Sequence, residues 1–402
     1  MSIVGPPLRI GVAGLGRAFQ LMLPTLVGHP AIVLAAAADP RAEARNRFAA
    51  DFSARAYASV EEMCADPHVQ AVYIATPHQF HASNVITAAY HRKHVLVEKP
   101  MALTLEECRS MIDATRRADV RMVIGHSHSF DAPIRRTREL IASGAVGSLR
   151  MIGALNYTDF LYRPRRPEEL RTETGGGVIF NQAPHQVDIV RLLGGGLVRS
   201  VSAGTGAWDS ARPTEGAYGA LLKFESGAHA TITYSGYAHF DSDEFMDGIA
   251  ESGHPKNPNA YGAARGLIRH SQSPDQELAL KNTLVYGGVS DTSAASAVSQ
   301  VRAHQHFGLI VASCDRADLR PTAQGVKIYE DFQERFEALP PPMVPRAEVI
   351  NELCDAIFLD RPALHSGEWG MATMEVCLAM LQSSREGREI LLKYQIGTDC
   401  EA

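Results

Sequence analysis

The sequence predicts an α/β protein in which a doubly wound parallel sheet comes first and an α+β domain with an open, mostly antiparallel sheet follows. Two observations indicate this fold class. Up to about residue 130, short apolar strands alternate with amphipathic helices, as in parallel sheets. Beyond that point, strands are predicted near 149–157, 197–208, 217–224 and 228–237, and hairpin turns between them favour antiparallel pairing.

Composition adds the domain count and excludes several classes of function. The 402 residues, 45% of them apolar, are enough for two cores, which we place at 1–130 and 131–402. A net charge of -6 gives no basis for nucleic-acid or membrane attraction. The six cysteines are not paired at metal-ligand spacing, and we see no signal-peptide core. We therefore expect a cytoplasmic enzyme that acts on a small molecule and has no metal site.

The first strand, turn and helix, from Leu8 to Phe19, form a dinucleotide-binding pattern. Gly14 permits the tight turn, and Gly16 lets the backbone approach a pyrophosphate at the N-terminus of a helix that opens with Arg17. Phe19 stands at the third glycine position of the fingerprint, so the packing between helix and strand must differ there.

The second strand ends at Asp39, where a carboxylate accepts hydrogen bonds from ribose hydroxyls. This position predicts NAD as the cofactor. Arg41 and Arg45 follow closely and could bind a 2'-phosphate, which leaves NADP possible, or they could lie on the solvated face of a helix over 40–50.

A later strand, His94 to Val97, runs into Glu98, Lys99 and Pro100. Ligands of parallel sheets bind at the carboxyl ends of strands, so Lys99 could bind a substrate oxygen, position a cofactor amide or transfer a proton. The alternative is a surface ion pair in a strand-to-helix turn. Thr76 and Pro77 follow the neighbouring strand. His78 and His81 come next with the spacing of neighbours on a helix, but no third ligand is nearby in the sequence, so packing or a cofactor contact is favoured over metal binding.

A glycine-rich segment, Thr174 to Asp188, lies between the later strands. The helix predicted after the glycines places Asn181, His185 and Asp188 on one face. Either this face has a function, or it is simply exposed to water.

In this order and spacing, the motifs resemble the glucose-fructose oxidoreductase / inositol dehydrogenase (Gfo/Idh/MocA) family. The resemblance implies a Rossmann domain, NAD(P), and oxidation or reduction at a secondary carbinol. It also implies that Lys99 and His185 are catalytic, although it does not say which of them takes the proton. Asn181 stands where many members have an aspartate. We expect a homodimer or homotetramer.

The loop over 159–171 contains four arginines: Arg163, Arg165, Arg166 and Arg171. Guanidinium groups suit carboxylates better than neutral sugars, although a solvated loop could have the same composition. The sequence of this loop, together with His126, His128 and the segments 306–308 and 317–321, is similar to the sequences of dehydrogenases of phthalate cis-dihydrodiols. We therefore predict NAD-dependent hydride transfer from an aromatic-acid cis-dihydrodiol, forming 4,5-dihydroxyphthalate. The alternative is a sugar, inositol or uronic-acid dehydrogenase or reductase of the same family.

The candidate cofactor contacts are Gly14, Gly16, Arg17, Asp39, Thr76, Pro77, His81, Glu98 and Lys99. The candidate substrate contacts are Arg163, Arg165, Arg166, Asn181, His185, His126 and His128. The segment 241–300 is rich in Gly, Pro, Asn and Ser, and it is interpreted as a long excursion near the site or an oligomer contact.

Overall fold

The computed structural model describes residues 6–271, 273–288 and 303–398. Backbone contacts divide the chain into two compact units. Unit 1 comprises Met1–His126, Leu280–Gln300 and Val344–Met371, and unit 2 comprises Ser127–Ala279, Val301–Met343 and Ala372–Ala402. The domain boundary predicted at 130/131 lies close to the first of these division points, whereas the later two segments of unit 1 come from parts of the chain that a single boundary leaves in the second domain.

Unit 1 is built on a parallel sheet of six strands in the order β3-β2-β1-β4-β5-β6. Its elements up to His126 are β1 (Leu8–Ala13), α1 (Arg17–Gly28), β2 (Ile32–Ala38), α2 (Ala42–Phe52), β3 (Arg55–Tyr57), α3 (Val60–Ala65), β4 (Ala71–Ile74), α4 (His81–Tyr90), β5 (His94–Val97), α5 (Leu105–Ala118) and β6 (Met122–Ile124). The prediction of a doubly wound sheet is confirmed. Since β1, β4 and β5 are neighbours, the segments that follow them lie side by side at one edge of the sheet.

Phe19, at the third glycine position of the fingerprint, belongs to an aromatic cluster. Its side chain is fully buried, and its ring centroid lies 5.2 Å from that of Tyr286 and 6.1 Å from that of Phe48. The Tyr286 hydroxyl donates a 2.7 Å hydrogen bond to Asp51. Tyr286, from the second segment of unit 1, therefore packs against α1, so part of the 241–300 region helps to build the core of this unit. Residues 289–300 of that predicted excursion lie outside the described residues.

After His126 the chain continues with α6 (Ala132–Ala142), β7 (Leu149–Tyr157), α7 (Gly177–Asn181), α8 (Ala183–Leu193), β8 (Val198–Gly206), β9 (Ala217–Phe224), β10 (His229–Ser235), α9 (Ala263–His270), α10 (Pro274–Thr283), β11 (Leu309–Cys314), β12 (Ala317–Thr322), β13 (Gly325–Glu330), β14 (Glu334–Ala338), α11 (Ala347–Phe358), α12 (Gly367–Glu386) and β15 (Ile390–Leu391). Unit 2 contains a nine-stranded sheet in the order β14-β13-β12-β11-β7-β10-β9-β8-β15. Its pairs are antiparallel except for β7 with β10, so the predicted mostly antiparallel sheet is confirmed. Within the described ranges, no helix is both long and apolar enough to cross a membrane.

The prediction of a single helix after the glycines is wrong, because the segment forms two helices. α7 ends at Asn181 and α8 begins at Ala183, with Gln182 between them at φ -119° and ψ -40°. Pro184 explains the interruption, since proline has no backbone N–H to continue the hydrogen bonds of α7 but fits the first turn of a new helix. The alternative that this face is exposed to water is also wrong, since His185 and Asp188 are both buried.

Candidate active site

The glycine turn after β1 has the shape that a dinucleotide requires. Gly14 has φ +93°, and a Cβ atom there would lie 2.9 Å from the Ala75 carbonyl oxygen. A side chain at this position is therefore excluded by both the backbone conformation and the neighbouring strand end. α1 begins directly afterwards at Arg17, with Gly16 as its N-cap. The turn thus directs a helix N-terminus, without a side chain in the way, toward the place where a pyrophosphate binds.

Asp39 is buried beside this turn. One of its carboxylate oxygens accepts a 2.8 Å hydrogen bond from the Leu15 backbone N–H, and the other accepts from the backbone N–H and the Nε of Arg41, at 2.9 and 3.0 Å. Arg45 donates to the carbonyl oxygen of Asp39 at 2.8 Å, so its guanidinium is held on the backbone. The residues fit a nucleotide ribose, with a carboxylate in place and one half-exposed arginine next to it.

At the end of β5, Glu98 is buried and accepts a 2.5 Å hydrogen bond from the Tyr73 hydroxyl on β4. Burial raises the pKa of Glu98, while the bond to Tyr73 and the charge of Lys99 act in the opposite direction. The alternative of a surface ion pair is therefore wrong for Glu98. Lys99 is half-buried and follows at the strand end, beside the segments that follow β1 and β4.

His81 fixes the geometry of this edge. It is fully buried, with Nδ1 2.9 Å from the Pro100 carbonyl oxygen and Nε2 2.9 Å from the Thr76 carbonyl oxygen. Burial lowers the pKa of His81, against the opposing effect of these two contacts. The ring therefore ties the loop after β4 to the loop after β5, which positions Thr76, Pro77 and Lys99 relative to one another.

In unit 2, two histidines that are far apart in the sequence lie together. The ring centroids of His128 and His185 are 4.8 Å apart, and Phe307 packs against both, at 5.3 and 5.0 Å. His128 Nδ1 lies 2.7 Å from the carboxylate of Asp131, and His128 Nε2 lies 3.4 Å from that of Glu251. Burial acts to lower the pKa of His128, but these two carboxylates outweigh it and raise the pKa to about 9.

The opposite shift holds for Glu251. Burial acts to raise its pKa, whereas its hydrogen bond to His128 and the charges of His128, Arg163 and His306 lower the pKa to about 2. Glu251 is thus an anion held beside His128 and Arg163. The side chains of His128, His185 and Glu251 come together closely, with one nitrogen or oxygen atom of each lying within 4.8 Å of the other two.

Asp188 holds the two histidine segments together. Its carboxylate accepts hydrogen bonds from the hydroxyls of Ser127 and Ser129, and a 3.0 Å bond from Thr373. Because Ser127 and Ser129 flank His128, Asp188 fixes α8 against that histidine. Asn181 instead donates to the carbonyl oxygens of Gly175 and Gly177, at 3.2 and 2.7 Å, and so supports the glycine turn.

The four loop arginines have different surroundings. Arg165 is only 8% exposed, stacks with its guanidinium carbon 3.6 Å from the centroid of the Phe160 ring, and donates to the Phe160 carbonyl oxygen at 2.7 Å. Its Nε is buried, and no atom of the described residues accepts a hydrogen bond from it. Burial lowers the pKa of Arg165 to about 10, with the charge of Glu169 opposing.

The other three arginines are more open to solvent. Arg163 and Arg171 are exposed and Arg166 is half-buried. Arg163 forms a 3.2 Å ion pair with Asp159, and the backbone N–H of Arg166 donates to Glu169 at 2.7 Å. Of the loop arginines, Arg165 alone therefore combines burial with an N–H that finds no acceptor in the described chain.

Tyr234 connects Arg165 to the histidines within unit 2. Its ring stacks on Phe307 at a centroid distance of 6.0 Å, and the charges of Arg163, Arg165 and Glu251 all act on its hydroxyl. Burial raises the pKa of this hydroxyl. Arg165, Tyr234 and the histidine cluster thus form one neighbourhood.

The predicted site residues fall into two groups. Unit 1 contains the cofactor candidates Gly14, Gly16, Arg17, Asp39, Thr76, Pro77, His81, Glu98 and Lys99, and ends its first segment with the buried His126. Unit 2 contains Arg163, Arg165, Arg166, Asn181, His128 and His185. Sequence reasoning missed Asp131, Tyr234 and Glu251. Only Asp131 had a local signal, because it lies three residues after His128.

A protein with a doubly wound parallel sheet, this glycine turn and a buried acid after the second strand belongs to the class of NAD-binding oxidoreductases. Sequence profiles agree: residues 8–126 match the oxidoreductase family with an NAD-binding Rossmann fold, and residues 134–249 match the GFO/IDH/MocA C-terminal domain. The chain belongs to the GFO/IDH/MocA oxidoreductase family. The predictions of family, fold class, enzyme class and NAD as cofactor are confirmed.

Three relatives show how close the similarity is. The 1-carboxy-3-chloro-3,4-dihydroxycyclohexa-1,5-diene dehydrogenase of Comamonas testosteroni is 48% identical over 379 residues, which cover 94% of this chain and 95% of that protein. A crystal structure of a protein from Bordetella bronchiseptica RB50, provisionally described as a dehydrogenase, has a TM-score of 0.90 and 41% identity and covers 96% of this chain and 100% of that one. The WlbA dehydrogenase of Bordetella pertussis, crystallised with NADH and UDP-GlcNAcA, shares the fold at a TM-score of 0.68 and 20% identity, covering 96% of this chain and 99% of that one.

Proposed function

We propose that this oxidoreductase oxidises a ring-carboxylated cyclohexadiene diol, an aromatic-acid cis-dihydrodiol, to the corresponding catechol. The observation that carries the proposal is Arg165, a buried guanidinium whose Nε finds no acceptor in the described chain, in the same neighbourhood as His185. A buried guanidinium is stabilised by a carboxylate, and a substrate carboxylate can supply it. The name of the Comamonas testosteroni relative, which describes a carboxylated cyclohexadiene diol, supports the same class.

The chemistry suits such a substrate. The carbinol carbon loses a hydride and its hydroxyl loses a proton, and the resulting ketone tautomerises to an aromatic catechol, which makes oxidation downhill. NAD+, when bound, accepts the hydride. Lys99 and His185 remain the proposed catalytic residues on the strength of the family resemblance, and Asp188 positions His185 through its bonds to the segment around His128.

The finer assignments are proposals as well. We propose an acidic substrate, with 4,5-dihydroxyphthalate as the product, and a homodimer or homotetramer in the cytoplasm. Light scattering during size-exclusion chromatography gives the number of chains directly. A monomer at working concentration would contradict the proposed assembly without affecting the proposed reaction.

The test is a substrate comparison with purified protein, read by the absorbance of the reduced cofactor. The panel contains the cis-dihydrodiols of phthalate and benzoate, the neutral cis-dihydrodiol of benzene, glucuronate and myo-inositol, each with NAD+ and with NADP+. We expect kcat/KM for the carboxylated diols to exceed that for the neutral diol by at least about tenfold, which corresponds to about 1.4 kcal/mol. Faster oxidation of myo-inositol or glucuronate than of every diol would instead establish the sugar, inositol or uronic-acid alternative.

A further inference from the structure

We infer that His128, His185 and Glu251 form a binding site for one divalent transition-metal ion, of the zinc type, within unit 2. Two imidazoles and one carboxylate are a ligand set that such ions commonly use. The ligand atoms of the three side chains all lie within 4.8 Å of one another. No spacing in the sequence indicates this cluster, because its members come from the segment after β6, from α8 and from the excursion after β10.

The distance between two of the ligand atoms fits a shared ion. Two ligand atoms that each lie about 2.0–2.1 Å from a tetrahedral ion are about 3.4 Å apart. His128 Nε2 and Glu251 Oε1 are 3.4 Å apart. On its other side His128 makes a closer contact, where Nδ1 lies 2.7 Å from Asp131.

Asp131 completes the pattern. Histidines that bind metals usually donate their second ring N–H to a carboxylate, which fixes the tautomer and turns the other nitrogen toward the ion. Asp131 is buried and holds His128 in this way, leaving Nε2 directed at Glu251. Asp188 fixes α8 through Ser127 and Ser129, so the position of His185 relative to His128 is also set before an ion arrives.

Three protein ligands leave at least one position of the ion for another molecule, as in catalytic zinc sites. A vicinal diol offers two adjacent oxygens for such positions, and this link to catalysis rests on the proposed function. The ion would stabilise the negative charge that develops on the hydroxyl oxygen while the carbinol C–H supplies the hydride to NAD+. His185 would then bind the ion and not the proton, so of the two proposed catalytic residues Lys99 would take the hydroxyl proton.

The experiment measures metal binding directly. Full-length protein without a polyhistidine tag is treated with a chelator, dialysed, and titrated with Zn2+ by calorimetry and with Co2+ by visible absorption. We expect one ion per chain and a Co2+ spectrum typical of mixed nitrogen and oxygen ligands. His128→Ala and Glu251→Gln should weaken Zn2+ binding at least about 100-fold, and Asp131→Asn, which removes only the outer carboxylate, about 10- to 100-fold.

The matched control is His91→Ala. His91 faces Glu61 at 2.8 Å in an exposed histidine–carboxylate pair of unit 1, so its loss should leave zinc binding unchanged. Glu251→Gln preserves side-chain volume, and its circular dichroism and Tm show whether it is folded. The inference is overturned if wild-type protein binds no ion stoichiometrically, or if folded Glu251→Gln binds zinc as well as wild type does. Diol oxidation by a metal-free, chelator-treated enzyme would overturn the catalytic link alone, whereas metal binding without diol oxidation would overturn only the proposed reaction.

Discussion

Arg165→Ala should impair the enzyme with acidic substrates and have little effect with neutral ones. A hydrogen bond between a charged donor and a carboxylate contributes about 1.5–3 kcal/mol, which is about a 10- to 150-fold loss in kcat/KM. The upper part of this range is expected, because Arg165 is 8% exposed and water cannot readily replace the lost guanidinium. Arg165→Lys should recover only part of the loss, since an ammonium retains the charge without the planar fork.

The assay compares kcat and KM for the cis-dihydrodiols of phthalate and benzene at low and high salt. Arg171→Ala is the matched control, because Arg171 lies six residues away in the same loop and is exposed. An exposed charge contributes at most about 0.2–1 kcal/mol, so this variant should lose less than about fivefold and depend on salt. Equal losses on both substrates, or a larger loss in Arg171→Ala, would refute the assignment of Arg165 to a substrate carboxylate.

Three further predictions concern unit 1. Lys99→Ala should lower kcat by at least about 100-fold while NAD+ binding, measured by calorimetry, stays nearly intact; near-normal kcat would remove Lys99 from the catalytic residues. Asp39→Ala should reduce the ratio of kcat/KM for NAD+ to that for NADP+, since the carboxylate favours ribose hydroxyls over a phosphate, and an unchanged ratio would show that Asp39 does not select the cofactor. Glu98→Gln should change the pH dependence of stability: burial raises the folded-state pKa of Glu98, so its contribution is present at low pH and lost as pH rises through that pKa. In urea unfolding, the variant should therefore gain stability relative to wild type from acid to neutral pH, and a constant difference would contradict this.

Much of unit 1 could be predicted because its strands are buried on both faces. β4 and β5 are nearly continuous apolar runs, and such runs in the sequence predict strands of a buried parallel sheet. Adjacent carboxyl ends then follow from the order of parallel strands, so Gly14, Thr76 and Lys99 could be grouped before the structure was known. The internal contacts of this edge were not predictable, since the bond from Tyr73 to Glu98 depends on which way two buried side chains point.

Unit 2 was harder to predict for a physical reason. Strand β14 is largely exposed, so its sequence lacks a strong alternation between apolar and polar residues. Glu251 lies in a segment rich in turns, where neither burial nor partners leave a periodic signal. The break between α7 and α8 did have a local signal in Pro184, which the reasoning from helical spacing overlooked.

In the arginine loop, the sequence alone could not show which arginine binds a substrate carboxylate. The sequence does not distinguish the four arginines of this loop from one another. Burial of an arginine without a carboxylate is unfavourable. Of the four, only Arg165 combines a buried side chain with an Nε that finds no acceptor in the described chain. Its lowered pKa, about 10, reflects the same desolvation. A bound carboxylate would remove this penalty, so phthalate, a product-like dicarboxylate, should raise the Tm of wild type and not that of Arg165→Ala. At a concentration 100 times Kd, binding to the folded state alone stabilises it by about 2.7 kcal/mol, which is large enough to measure. Equal shifts in both proteins would mean that phthalate binds elsewhere, and that the burial of Arg165 serves the packing of Phe160 instead.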